Sequence, residues 1–448
     1  MPKTFIDLFA GIGGFHRALE KLEYKCLLAV EKDPYAQKIY ECNFPEFPKT
    51  KIIGDIRSLT RKKDGRTDLG KKEILQLLGE HNIEEGQISI ICGGFPCQPF
   101  SKSGDQAGDK DVTRGTLFHD ILLLTEALKP EYLILENVRN LAGPNHKHTL
   151  QTIVNKIRGD DEYNIEDEPI ILSPHQLPPP YGSPQVRERV FILAKRSNIG
   201  GLSISEITAK IEKSKKKKYI WEAKEILLES ETKKLERYKV NDSIKDWLDT
   251  WEEFVELTKG HDLPGFPIWT EVFKVKKPKI NRNFPKWKKN FLIKNHEFYK
   301  KLIKDKKIKG QLKILLKKIR GKEFPLSRRK FEWQANSAFK NAKDRSLKKL
   351  LIQLRPSGIR VKPATHYPAL VAITQTTIVG PEVDGNTSKT YRYITPYEAA
   401  KLQGMHEIDF DNQPDALSYK QLGNAVNVGV IKFLAEQLTE KPRDEVPS

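Results

Sequence analysis

At 448 residues the chain is longer than one ordinary hydrophobic core requires, so two domains are expected. Asp7 interrupts the start Met1-Pro2-Lys3-Thr4-Phe5-Ile6, where a secretory leader needs an unbroken apolar run, and no window reaches the roughly 18 apolar residues of a membrane span. The expectation is a soluble, cytoplasmic protein without a membrane partner, whose formal charge of +19 gathers in residues 271–350: 28 Lys and Arg stand there against 6 Asp and Glu.

Up to about residue 195, short β-branched runs alternate with amphipathic helical stretches. Strands are expected at Lys3–Phe9, Cys26–Glu31, Lys51–Asp55, Ile88–Cys92, Tyr132–Glu136 and Val190–Ala194. Helices are expected at Phe15–Leu22, Pro34–Asn43, Leu117–Leu128 and Thr149–Ile157. Such alternation predicts an α/β fold with a doubly wound, mainly parallel sheet covered on both faces. From Arg196 the pattern changes to long Lys/Glu-rich helical stretches over Ile204–Leu235, then to the basic block, which is threaded with Trp287, Phe291, Phe298, Tyr299, Phe324, Phe331 and Trp333. The block points to a polyanionic partner, although a solvated lysine face would carry the same charge. Leu354 opens an irregular segment punctuated by Pro356 and Gly358, and Thr395-Pro396-Tyr397-Glu398 reads as a capping box that starts a helix. The domains expected are 1–195, 196–390, and a segment 391–448 that returns to the first.

Four segments carry chemistry. In Asp7-Leu8-Phe9-Ala10-Gly11-Ile12-Gly13-Gly14, a strand ends and a helix opens on glycines that let the backbone turn tightly against a ligand. His16 stands where the third glycine of a dinucleotide fingerprint belongs, which argues against a dehydrogenase and leaves a nucleoside cofactor without a pyrophosphate. Glu31 ends the next strand, placed for a ribose hydroxyl pair, and Asp55 ends the third, placed to accept from an adenine amino group. Open α/β sheets bind ligands at these carboxyl ends.

The second segment is Gly93-Gly94-Phe95-Pro96-Cys97-Gln98-Pro99. Of the four cysteines, Cys26, Cys42 and Cys92 read as inert packing, and none is spaced for zinc or for a disulfide framework. No metal is expected. Cys97 differs because prolines rigidify its turn and a polar loop, ending at Arg114, follows it. In the third segment, Leu133-Ile134-Leu135-Glu136-Asn137-Val138, the carboxyl at the end of an apolar strand should be desolvated and easier to keep protonated. In the fourth, period-2 spacing puts Gln185, Arg187 and Arg189 on one strand face.

In this order the segments resemble the C5-cytosine-specific DNA methyltransferase family of bacterial restriction-modification systems. Gln421-Leu422-Gly423-Asn424-Ala425-Val426 resembles that family's last motif, and Arg355–Thr374 the one after its recognition region. The likeness covers residues 1–195 and 350–430, and the intervening stretch fits the family's variable recognition region. The resemblance implies that S-adenosylmethionine sits on Phe9, Gly11 and Gly13, with Glu31 on the ribose, Asp55 and Ile56 at the adenine, and Asn424 near the methionine end. Lys32 stands where many relatives stack an aromatic ring on the adenine.

It further implies that Cys97 adds to C6 of a flipped-out cytosine, that Glu136 takes up charge at N3, and that Arg187 and Arg189 orient the base. The partner implied is double-stranded DNA, methylated by a monomer beside a cognate restriction endonuclease that acts on the same site. Arg282, Arg320, Arg328 and Arg329 are candidates for reading bases. The alternatives are an RNA (tRNA) cytosine-C5 methyltransferase with the same apparatus and a catalytically silent DNA-binding relative, which intact Cys97, Glu136 and Arg189 disfavour.

Overall fold

Residues 3–96, 116–159, 162–216, 219–228, 235–274, 276–371, 376–383 and 390–440 are described by a computed structural model. The chain divides into two compact units. The first comprises Met1–Ile220, Ala369–Ala372 and Ala400–Ser448, the second Trp221–Pro368 and Ile373–Ala399. Among the described residues, no helix is long and apolar enough to cross a membrane.

The first unit is built on a sheet whose strands are β1 (Thr4–Leu8), β2 (Lys25–Val30), β3 (Ile52–Ile53), β4 (Ile90–Gly94), β5 (Tyr132–Val138), β6 (Tyr163–Ile165), β7 (Ile170–Leu172) and, after the short β8 (Gln185–Val186), β9 (Arg189–Arg196). Its order is β3-β2-β1-β4-β5-β9-β6, with β7 also on β9. The neighbours from β3 to β5 are parallel, and β9 runs antiparallel to β5, β6 and β7. Order reverses between β1 and β4, which makes their carboxyl ends the crevice of a doubly wound sheet.

Helices α1 (Gly14–Glu20), α2 (Pro34–Asn43), α3 (Arg57–Thr60), α4 (Lys71–Gly79), α5 (Leu117–Leu128) and α6 (Lys147–Arg158) follow the strands, α7 (Ile204–Lys215) comes after β9, and the C-terminal segment adds helices at Asp415–Asn424 and Val428–Thr439. Side chains alternate across β1. Ile6 and Leu8 join Ile74 and Leu78 of α4, Ile121 and Leu124 of α5 and Ile153 of α6 in one core layer. On the other face Ala29 packs with Tyr40 and Phe44. Strands buried on both faces need near-continuous apolar runs, which is why they are legible in the sequence. Asp7 is the exception within β1: it is fully buried, and desolvation pushes its carboxyl well above the ordinary range.

The second unit contains a six-stranded sheet that the sequence reading does not anticipate. Leu350–Arg355 and Gly358–Pro363 pair antiparallel, so Leu354–Arg360 is a hairpin rather than an irregular segment. Gly358 has φ +143°, and a Cβ there would stand 2.8 Å from the Lys330 carbonyl of the neighbouring strand. That glycine marks a close strand approach, not a chain break. The helical run expected to Leu235 ends instead at Lys215, capped by Lys216, where a lysine cluster favours a helix C-terminus. Trp251 stacks on Phe331 at 4.6 Å in the core, with Phe324 and Trp333 also buried. Much of the aromatic content of the basic block therefore serves packing. The capping box forms as read: Thr395 N–H donates to Glu398 and Glu398 N–H to Thr395 Oγ1. Glu398 also accepts a buried two-pronged pair from Arg392 at 2.8 and 2.9 Å.

Candidate active site

The turn after β1 puts Phe9, Gly11 and Gly13 at φ +58°, +57° and +84°. A Cβ on Gly11 would meet nothing within 4 Å, so its backbone borders open space. Gly13 has no such freedom, because a Cβ there would lie 2.2 Å from the Phe44 ring. Phe44 stacks on His16 at 3.8 Å, and the His16 Nδ1 meets the Tyr40 hydroxyl at 2.5 Å. Burial lowers the His16 pKa to about 3, so the residue that breaks the dinucleotide fingerprint is a neutral packing group behind the turn. Gly13→Ala should therefore cost about 2 kcal/mol or more, from positive φ and overpacking together. Thermal unfolding would show this as a lowered midpoint.

Glu31 is fixed at the mouth of this turn. One carboxylate oxygen accepts from Gly11 N and the other from Asp33 N, both at 2.7 Å. Each oxygen keeps a lone pair for a hydroxyl donor. Asp55 accepts from the Arg57 amide at 3.0 Å and pairs with the Lys32 ammonium at 3.0 Å. Burial pushes the Asp55 carboxyl up, but the Arg57 amide and Lys32 outweigh it and hold it below the usual range. Lys32 thus binds the neighbouring acid. Ile56 is buried. A cradle of open backbone after β1, with fixed acids after β2 and β3, fits the nucleoside half of S-adenosylmethionine.

Glu136 lies opposite Gly94 in the β4–β5 register. A Cβ on Gly94 would be 3.3 Å from the Glu136 Oε2 and 3.8 Å from Val426, so glycine there leaves room beside the carboxyl. Arg189 Nε pairs with Glu136 Oε1 at 2.9 Å, the two side chains being 19% and 12% exposed. Desolvation raises the Glu136 pKa in spite of Arg189 and Arg187. The alternation across 185–189 holds in burial: Gln185 and Arg187 are inward, Val186 and Glu188 exposed.

Arg187 is buried beside the Glu136–Arg189 pair. Its guanidinium donates to the carbonyls of Leu370 at 2.5 Å, Gly423 at 2.8 Å and Ala425 at 2.9 Å. Burial, with Arg189 nearby, lowers its pKa to about 9. It clamps the backbone on both sides of Asn424, whose own side chain is exposed. Arg187→Met would strand three buried carbonyls and should destabilise the fold by about 2 kcal/mol, read as a lower denaturant midpoint at unchanged slope.

Sequence reasoning missed Asn137. It is buried, donates to the Phe95 carbonyl at 3.0 Å and accepts from Val138 N at 2.8 Å, tying the end of β5 to the turn that leads into Cys97. An amide next to a desolvated acid was the available signal. Cys97 itself, Arg114 and the loop between them lie outside the described residues. Of the other cysteines, Cys26 and Cys92 are buried, whereas Cys42 is exposed and is not a core residue. Among the described residues, no group of three or more His, Cys, Asp or Glu is placed to hold a metal ion.

The C-5 cytosine-specific DNA methylase family matches residues 3–440. The chain belongs to that family. It is a DNA (cytosine-5-)-methyltransferase that takes its methyl group from S-adenosylmethionine. The methylase is 33% identical to Type II methyltransferase M.AluI of Cellulosimicrobium cellulans, over 98% of this chain and 92% of that protein. It is 27% identical to Type II methyltransferase M.BanI of Aneurinibacillus aneurinilyticus, over 100% and 98%. The methylase's fold resembles that of the S. pombe Dnmt2 methyltransferase, with a TM-score of 0.50, 17% identity and 97% of each chain covered.

Proposed function

We propose that this methylase modifies C5 of a flipped-out cytosine in a specific duplex sequence through a covalent bond from Cys97 to C6, as the modification enzyme of a restriction-modification system. The observation that carries this reading is the Glu136–Arg189 pair, a desolvated carboxyl with raised pKa at the carboxyl end of β5.

C5 of cytosine is a poor nucleophile until C6 is attacked. The Cys97 thiolate adds to C6, as an activated cysteine does. Glu136 donates to N3 as electron density moves onto the ring, and Arg189 holds that carboxyl in place while facing the base. Bound S-adenosylmethionine supplies an electrophilic methyl group, which C5 takes up. Loss of the C5 proton to water then expels Cys97 as thiolate, and return of the N3 proton to Glu136 restores the neutral aromatic ring. Arg187 acts as a positioning residue for the Asn424 segment.

The cofactor would rest on Phe9, Gly11 and Gly13, with Glu31 at the ribose, Asp55 and Ile56 at the adenine and Asn424 near the methionine end. Residues 1–195 and 391–448 would perform the chemistry and 196–390 would recognise DNA, the basic stretch supplying phosphate contacts. Extrusion of the base costs a few kcal/mol, repaid by contacts in the pocket.

Tritiated S-adenosylmethionine, incubated with the protein and either duplex DNA or tRNA, tests the substrate. Label should enter duplex DNA at cytosine C5, and label in tRNA alone would overturn the reading. Bisulfite sequencing of treated plasmid would then give the target sequence.

A further inference from the structure

Of the four arginines that the sequence offers as DNA readers, three are engaged inside the second unit. Arg320 donates to the carbonyls of Thr270 and Phe273. Arg329 donates to the carbonyls of Phe324 and Gly321 and pairs with Glu271. Arg328 donates to the Arg355 carbonyl and lies over the Trp247 ring. Arg282 is exposed and, among the described residues, forms no ion pair.

Its surroundings combine a basic stretch with an exposed aromatic ring. From Val272 to His296 there are nine Lys and Arg and no acid. Lys276, Lys277 and Lys286 are exposed, as is Trp287 at 69%. Elsewhere in this unit some surface lysines are paired, as Lys245 is with Asp249 and Lys318 with Asp246, whereas Lys277, Arg282 and Lys286 form no ion pair among the described residues. Unpaired cations around an exposed tryptophan pay a cost in self-repulsion and hydration that a polyanion would remove.

We propose that the Lys276–Trp287 surface is where the recognition unit grips duplex DNA, with Lys277, Arg282 and Lys286 on backbone phosphates and Trp287 as the apolar anchor in the groove. This rests on the duplex-DNA reading above and narrows a long basic block to one face. Each phosphate contact contributes to the slope of log K against log salt concentration, and an aromatic anchor contributes affinity that salt does not screen.

Duplex binding by the full-length protein, followed by fluorescence anisotropy between about 50 and about 200 mM salt, separates these contributions. Lys277→Ala/Arg282→Ala/Lys286→Ala should flatten the slope by about 3. Trp287→Ala should weaken binding on the order of tenfold while leaving the slope unchanged. All four side chains point to solvent, and matching unfolding midpoints would exclude loss of fold. If instead Lys309→Ala/Lys313→Ala flattens the slope and the triple variant does not, the surface is wrong. Parent-like binding by both test variants, with the parent still methylating duplex DNA, overturns this surface alone. A parent that does not methylate duplex DNA overturns the underlying reading instead.

Discussion

Cys97→Ser should abolish methyl transfer, by roughly 10⁴-fold or more, the scale on which enzymes lose rate when a nucleophile is removed. A serine hydroxyl at this position would be un-ionised at neutral pH, whereas a free thiol titrates near about 8.5 and is a strong nucleophile even as a minor thiolate population. The covalent step can be isolated with duplex DNA that carries 5-fluorocytosine at the target. Once C5 is methylated, fluorine leaves no proton to lose, Cys97 cannot be expelled, and protein and DNA should migrate as one species under denaturing conditions. The parent should give that species and Cys97→Ser none, while both bind the duplex with similar affinity. Methylation by Cys97→Ser at the parental rate would sink the covalent mechanism, and a trapped adduct in the variant would mean that another group attacks C6.

The sequence made the first unit readable because its parallel strands are buried on both faces. Apolar runs such as Phe5-Ile6-Asp7-Leu8 and Leu133-Ile134-Leu135 have few alternatives to a central strand. Acids at the ends of such runs, Glu31, Asp55 and Glu136, stand out for the same reason. The second unit was less legible because its strands are short and lie within lysine-rich stretches. Lys330–Trp333 shows its strand through remote pairings, with Ile268–Trp269 on one side and Ile359–Val361 on the other. Arg187 and Arg189 look alike in sequence, two residues apart on one face. What separates them is the tertiary setting: carbonyls from remote Leu370, Gly423 and Ala425 surround the first, while Glu136 faces the second. No local pattern carries that distinction. Asn137's partner, the Phe95 carbonyl 42 positions earlier, is likewise remote, and only its place beside Glu136 marks it locally.

Glu136→Gln should lower kcat by about 10²- to 10⁴-fold, the usual worth of a positioned general acid, with little change in affinity for duplex DNA. The amide can still donate a hydrogen bond to N3 but has no proton to transfer, so the variant should keep a residual rate. The pH dependence separates catalysis from packing. Burial raises the Glu136 carboxyl in spite of Arg189, so the protonated form persists above the ordinary glutamate range. The parental rate should therefore fall as pH climbs through that raised value, once the thiolate of Cys97 is allowed for, and the Gln variant should lose this limb. Stability must move with the same sign. A carboxyl whose folded-state pKa lies above its unfolded value favours the fold below the unfolded pKa, and that preference is lost as pH rises through the folded one. Glu136→Gln removes the loss, so its stability relative to the parent should improve from acid toward neutral and alkaline pH, even as its rate collapses. A variant whose stability fell in step with its activity would mark Glu136 as a structural partner of Arg189 rather than the acid of the reaction.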